Sequence, residues 1–113
     1  MGLCYSNRKI KSTNETVGKL IVLKTLLEKE KAELRQILLS IKIEIRDVVK
    51  LITTDDGLSP NLRLMNTENY IEKMDIKKSI ERQINSVQIN IKDMTFQIQL
   101  LQNLHKAVIL SGG

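Results

Sequence analysis

Apolar side chains return every seven positions through the first half of the chain, at Leu20, Leu27, Leu34, Ile41 and Val48. Between them, Leu23, Ile37 and Leu51 fall on one flank, and Leu38, Ile45 and Ile52 on the other. Apolar residues three and four apart share one face of a helix, so this spacing predicts a long amphipathic helix over residues 14–53. Asn14 is a capping residue, and Glu15 suits the positive end of a helix dipole. Thr53-Thr54-Asp55-Asp56-Gly57 reads as the stop, with Gly57 as the left-handed cap. Ser59 before Pro60 reads as the next start, a capping hydroxyl followed by proline in the first turn.

The second helix is predicted from about residue 60 to 110. Its clearest stripe is Ile80, Ile84, Val87, Ile91, Met94, Ile98 and Leu101, continued by His105 and Val108. The stretch Asn66-Thr67-Glu68-Asn69 forms helix weakly and is the expected place for a kink. At 1.5 Å per residue the two helices would be roughly 58 and 75 Å long. A connection this short makes them antiparallel neighbours. The expected fold is therefore all-α, a long coiled-coil-like hairpin over residues 14–113, preceded by a flexible arm over residues 1–13. Its seam is Leu20, Leu27, Leu34, Ile41 and Val48 against Ile84, Ile91, Ile98 and Leu101.

One seam does not absorb all the apolar residues. Val22, Leu39 and Ile43 lie off it in the first helix, and Ile89, Phe96 and Leu100 lie nearly opposite it in the second. Leu39, Ile43, Ile89, Phe96 and Leu100 are therefore the candidate assembly face, to be covered by a further helix.

Composition fits long helices: five Gly, one Pro and three aromatic residues, Tyr5, Tyr70 and Phe96, in 113. The net charge of +5 is unevenly placed. Residues 1–14 hold Arg8, Lys9 and Lys11 and no acid, whereas both helices mix the two signs. A mixed-charge helix with almost no aromatics is a poor nucleic-acid surface, so no nucleic acid is expected as a partner. The single cysteine, Cys4, rules out an internal disulfide framework. No apolar run approaches the length needed to span a bilayer, and the N-terminus lacks a secretory core. The expected location is cytoplasmic, peripheral on the cytosolic face of a membrane.

Met1-Gly2-Leu3-Cys4-Tyr5-Ser6 fits the myristoylation pattern, glycine after the initiator methionine with a hydroxyl residue four further on. One myristoyl chain holds a membrane only marginally and needs a second signal. Acylation of Cys4 would supply one, and contact of Arg8, Lys9 and Lys11 with anionic lipid another. Chemistry is not expected. His105 is the only histidine and has no metal-ligating neighbour in sequence, and no phosphate loop or nucleophile–base pair is legible. The reading is of a non-enzyme with no cofactor, metal or small-molecule substrate.

With the lipidation signal, the basic arm and the hairpin in place, the chain resembles the N-terminal half of an ESCRT-III protein. That family is the charged multivesicular body proteins, and the likeness is greatest to its myristoylated nucleating branch. The residues that carry it are Met1-Gly2, the bases Arg8 to Lys11, Ser12-Thr13-Asn14-Glu15, and the run from Glu81 through spaced Gln, Asn and aliphatic residues to Phe96. The resemblance implies endosomal sorting and multivesicular body formation, by helix–helix polymerisation on endosomal or vacuolar membranes. It implies anionic membrane, other ESCRT-III-like subunits and ESCRT-II as partners. The family's acidic C-terminal half has no counterpart here, and the first helix is less basic than is usual in the family. A lipid-anchored homodimeric coiled-coil tether is the competing reading. A filament subunit needs the second apolar face, and a dimer does not.

Overall fold

The computed structural model describes residues 2–54, 57 and 59–112, with side chains described from Ser12 onward apart from Gly112. Two helices make up the architecture, α1 (Gly2–Thr54) and α2 (Pro60–Gly112). The fold is all-α, and the described residues contain no strand.

α1 begins at Gly2, well before the expected start at Asn14. No proline or glycine interrupts residues 3–17, and an N-cap forms only where the chain leaves helical geometry. Instead the Thr16 hydroxyl donates to the Ser12 carbonyl across 2.9 Å, a bond made within a continuing helix. Glu15 consequently sits inside α1 rather than in its first turn.

At the other end of α1, the Thr53 hydroxyl donates to the Val49 carbonyl at 2.9 Å, and Thr54 donates to that of Lys50. These are back-bonds to carbonyls inside the helix, the kind that serine and threonine make within a helical turn. α2 starts at Pro60 behind a capping Ser59. The Leu62 amide donates to the Ser59 hydroxyl at 3.3 Å, and the Arg63 amide donates to the Ser59 carbonyl at 3.1 Å. α2 then runs unbroken through Asn66–Asn69, where the Thr67 hydroxyl donates back to the Arg63 carbonyl.

The chain divides into two units. The first comprises residues 1–30 and 87–113, the second residues 31–86. The second unit joins the C-terminal part of α1 to the N-terminal part of α2 through the short connection, with Lys73 of α2 paired to Glu44 of α1. Its best-buried residues are Val48 and Ile80. In the first unit, Asn14 and Val17 of α1 line one hollow together with Gln102, His105 and Lys106 of α2. Its best-buried residues are Val87 and Ile91. Each unit is thus a pair of helical segments.

The less exposed positions fall on one regular stripe per helix. In α1 they are Thr13, Val17, Leu20, Lys24, Leu27, Lys31, Leu34, Leu38, Ile41, Ile45, Val48 and Ile52. The steps alternate between three and four residues, the spacing of a coiled-coil seam. Of the two apolar flanks, Leu38, Ile45 and Ile52 turn toward the seam. Ile37 and Leu51 on the other flank stay about half exposed, at 49% and 53%.

Candidate functional site

The positions expected to form the seam are all withdrawn from solvent to some degree. Val48 and Ile91 are buried, and Leu20, Leu27, Leu34, Ile41, Ile84, Ile98 and Leu101 are half-buried. Ile41 was expected against the stretch Ile84–Leu101, but the register places it elsewhere. It lies one turn from Glu44, whose partner is Lys73, so in an antiparallel pair it faces the stretch just after Lys73.

The stripe of α2 also extends further than the apolar pattern suggested. It continues backward from Ile80 through Lys77, Lys73, Tyr70 and Asn66, all half-buried. Lysine can occupy such a position because its aliphatic stem covers the seam while the ammonium reaches water. Lys73 illustrates this: its side chain is 22% exposed and its Nζ donates to the Glu44 carboxylate at 2.9 Å. Lys77 and Lys24 reach out to Glu81 and Glu28, each one turn on along its own helix, at 3.7 and 3.9 Å. Sequence reading missed the lysines because they are charged. The heptad spacing marks their positions, but it does not show that a lysine stem lies in the seam.

His105 takes a seam position in the first unit and is half-buried. Its Nδ1 is buried without a hydrogen-bond partner among the described residues. Those residues also include no cluster of three metal-ligating side chains.

The five residues of the expected assembly face are all exposed. Leu39 and Ile43, one turn apart on α1, belong to the second unit. Ile89, Phe96 and Leu100 belong to the first unit, and Phe96 is 65% exposed. Successive steps of four and three from Ile89 give Asp93, Phe96, Leu100, Asn103, Ala107 and Leu110. This is a second heptad stripe, half a turn round α2 from the first. Earlier in α2 the same side carries Glu68, Glu72, Asp75 and Arg82. The outer side of α2 therefore carries more apolar residues in the first unit, where Asp93 and Asn103 interrupt them, than it does earlier. α1 carries exposed apolar residues of its own in the first unit, Ile21, Val22, Leu23 and Leu26, of which Val22 and Leu23 line a shallow hollow beside Gly18.

The side chains of Gly2, Cys4, Arg8, Lys9 and Lys11, the expected lipidation and membrane-binding residues, lie outside the described ones. Among the described residues no helix is long and apolar enough to cross a membrane. No family model, curated protein or solved structure matches the chain.

Proposed function

We propose that the protein is a membrane-anchored assembly subunit of the ESCRT-III type, which remodels endosomal or vacuolar membranes by helix–helix polymerisation. The observation that carries this reading is the outer stripe of α2, with Ile89, Phe96 and Leu100 exposed half a turn from a seam already in use. Isolated exposed apolar residues are common, but a heptad-spaced series of them is the pattern of a helix with a second partner. Burying such apolar surface favours association by roughly 25 cal/mol per Å² removed from water.

Anchoring is assigned to a myristoyl group on Gly2, reinforced by Arg8, Lys9 and Lys11 and by acylation of Cys4. Other ESCRT-III-like subunits, ESCRT-II and anionic lipid are the proposed partners, and no catalytic role is proposed. The test is electron microscopy of the pure protein on anionic liposomes, with Phe96→Asp beside the wild type. Filaments or tubules from the wild type, and none from a Phe96→Asp protein that keeps its helicity and its membrane attachment, are the expected result. A wild type that remains dimeric on liposomes would favour the lipid-anchored tether. A Phe96→Asp protein that unfolds would place Phe96 in the intramolecular core.

A further inference from the structure

We propose that the last turns of α2, Leu104 to Leu110, form a second membrane-contact element that enters the interface of an anionic lipid surface. The proposal rests on the membrane-anchored reading above and names a contact that reading does not contain.

The first observation is the distribution of apolar surface around this end of the helix. Val108 is at the seam and half-buried, while Leu104 and Ile109 are each 53% exposed and Leu110 is 85% exposed. At about 100° per residue, Leu104, Ile109 and Leu110 point in three separate directions away from the seam. One neighbouring helix covers a single stripe and cannot cover all three. Residues 107–110, Ala-Val-Ile-Leu, make one turn that is apolar all round, and such a turn favours an apolar medium on every side, with Lys106 just before it long enough to reach water.

The second observation is charge. Residues 94–113 contain no Asp or Glu, and Lys106 is their only charged residue. Residues 1–14 carry Arg8, Lys9 and Lys11 and likewise no acid. These two segments meet in the first unit. Asn14 and Val17 share a hollow with Gln102, His105 and Lys106, so from that level α1 runs back toward Gly2 as α2 runs forward toward Gly112. An acid-free, basic end with an apolar tip suits a lipid surface that is anionic outside and apolar within. A second copy that met this tip with its own would set two acid-free, basic ends against each other, which like-charge repulsion disfavours.

The chain has no tryptophan, so Leu110→Trp gives a single reporter in the full-length protein. With vesicles of phosphatidylserine and phosphatidylcholine, its emission should shift to the blue and be quenched by brominated acyl chains. Trp at Met65, exposed in the second unit, should do neither. An Ile109→Asp, Leu110→Asp double variant that keeps its circular dichroism should bind these vesicles roughly tenfold more weakly than wild type. If the protein binds but the tryptophan at position 110 stays unshifted and unquenched, the proposal is overturned and the N-terminal anchor stands. If neither wild type nor variant binds vesicles, the anchored reading fails and this proposal fails with it. A blue shift without lipid that grows with protein concentration would assign the turn to another copy, which also overturns the proposal.

Discussion

Lys73 of α2 holds Glu44 of α1 at 2.9 Å, an ion pair that joins the two helical segments of the second unit. Lys73 rises from the seam and Glu44 sits beside it, 52% exposed. A pair this open to water contributes little energy, about 0–1 kcal/mol. Its consequence is positional, because antiparallel helices with repeating seams can slide by a heptad and a cross-helix pair disfavours the slide. Glu44→Ala should lower stability by no more than about 1 kcal/mol in urea titrations. Lys73→Leu should be neutral or stabilising, since an apolar side chain fills the seam without a charge to solvate. A loss above about 3 kcal/mol for Glu44→Ala would mean that the pair is far less hydrated than its exposure indicates.

Neighbouring residues Ile37 and Leu38 should differ sharply. Leu38 is half-buried on the seam side, whereas Ile37 is 49% exposed. Leu38→Ala should cost at the low end of about 2–5 kcal/mol, while Ile37→Ala should stay near 0.5 kcal/mol. Ile41→Asp, which puts a charge on the same seam, should melt much of the second unit. Thermal melts followed by circular dichroism settle the comparison. Equal losses at 37 and 38 would show that the seam runs between the two flanks.

Ser59 should behave as a helix cap. Its hydroxyl accepts from the Leu62 amide, one of the donors that α2 cannot satisfy internally. Ser59→Ala should cost about 1 kcal/mol, and Ser59→Asp should restore most of it. Urea midpoints of the three proteins give the measurement, and no loss in the alanine variant would remove Ser59 from this role.

Gly18 lies inside α1, and a Cβ added there would meet no atom within 4 Å. Glycine in a helix interior costs about 0.5–1 kcal/mol relative to alanine. Gly18→Ala should therefore raise the melting temperature. A fall would reveal a neighbour that needs the space, and analytical ultracentrifugation of the variant would show whether that neighbour is another copy.

Gly2→Ala removes the only amine that N-myristoylation can use. In cells, the variant should move from the membrane fraction to the soluble fraction, because the bases of the N-terminal segment alone hold a membrane weakly. A variant that sediments with membranes as fully as wild type would refute the lipid anchor.

Much of the architecture was legible from the chain, because the pattern was long and its punctuation was chemical. Ser59-Pro60 marked the start of α2 through a hydroxyl that can cap and a ring that fits the first turn. The exposed series Ile89, Phe96 and Leu100 stood apart because a two-helix seam has room for only one stripe per helix. The upstream end of α1 was misread. Asn14-Glu15 has the composition of a helix start, but a good capping residue stops a helix only when the preceding chain turns away. Nothing in residues 3–13 forces that turn.

By itself, the sequence determined the all-α class, the two long helices, the place of the connection and the existence of a second apolar series. Each of these depends on local spacing or local backbone chemistry, which a chain carries wherever it packs. Only the tertiary structure decided which flank of α1 closes the seam, since Ile37 and Leu38 are equally apolar and adjacent. It also decided that Lys24, Lys31, Lys73 and Lys77 stand in seam positions and that Glu44 meets Lys73. A lysine reads as solvent-facing in any pattern. Its stem lies in a seam only once a partner helix leaves room for the stem and an opening to water for the ammonium, and that depends on the relative rotation and register of two helices.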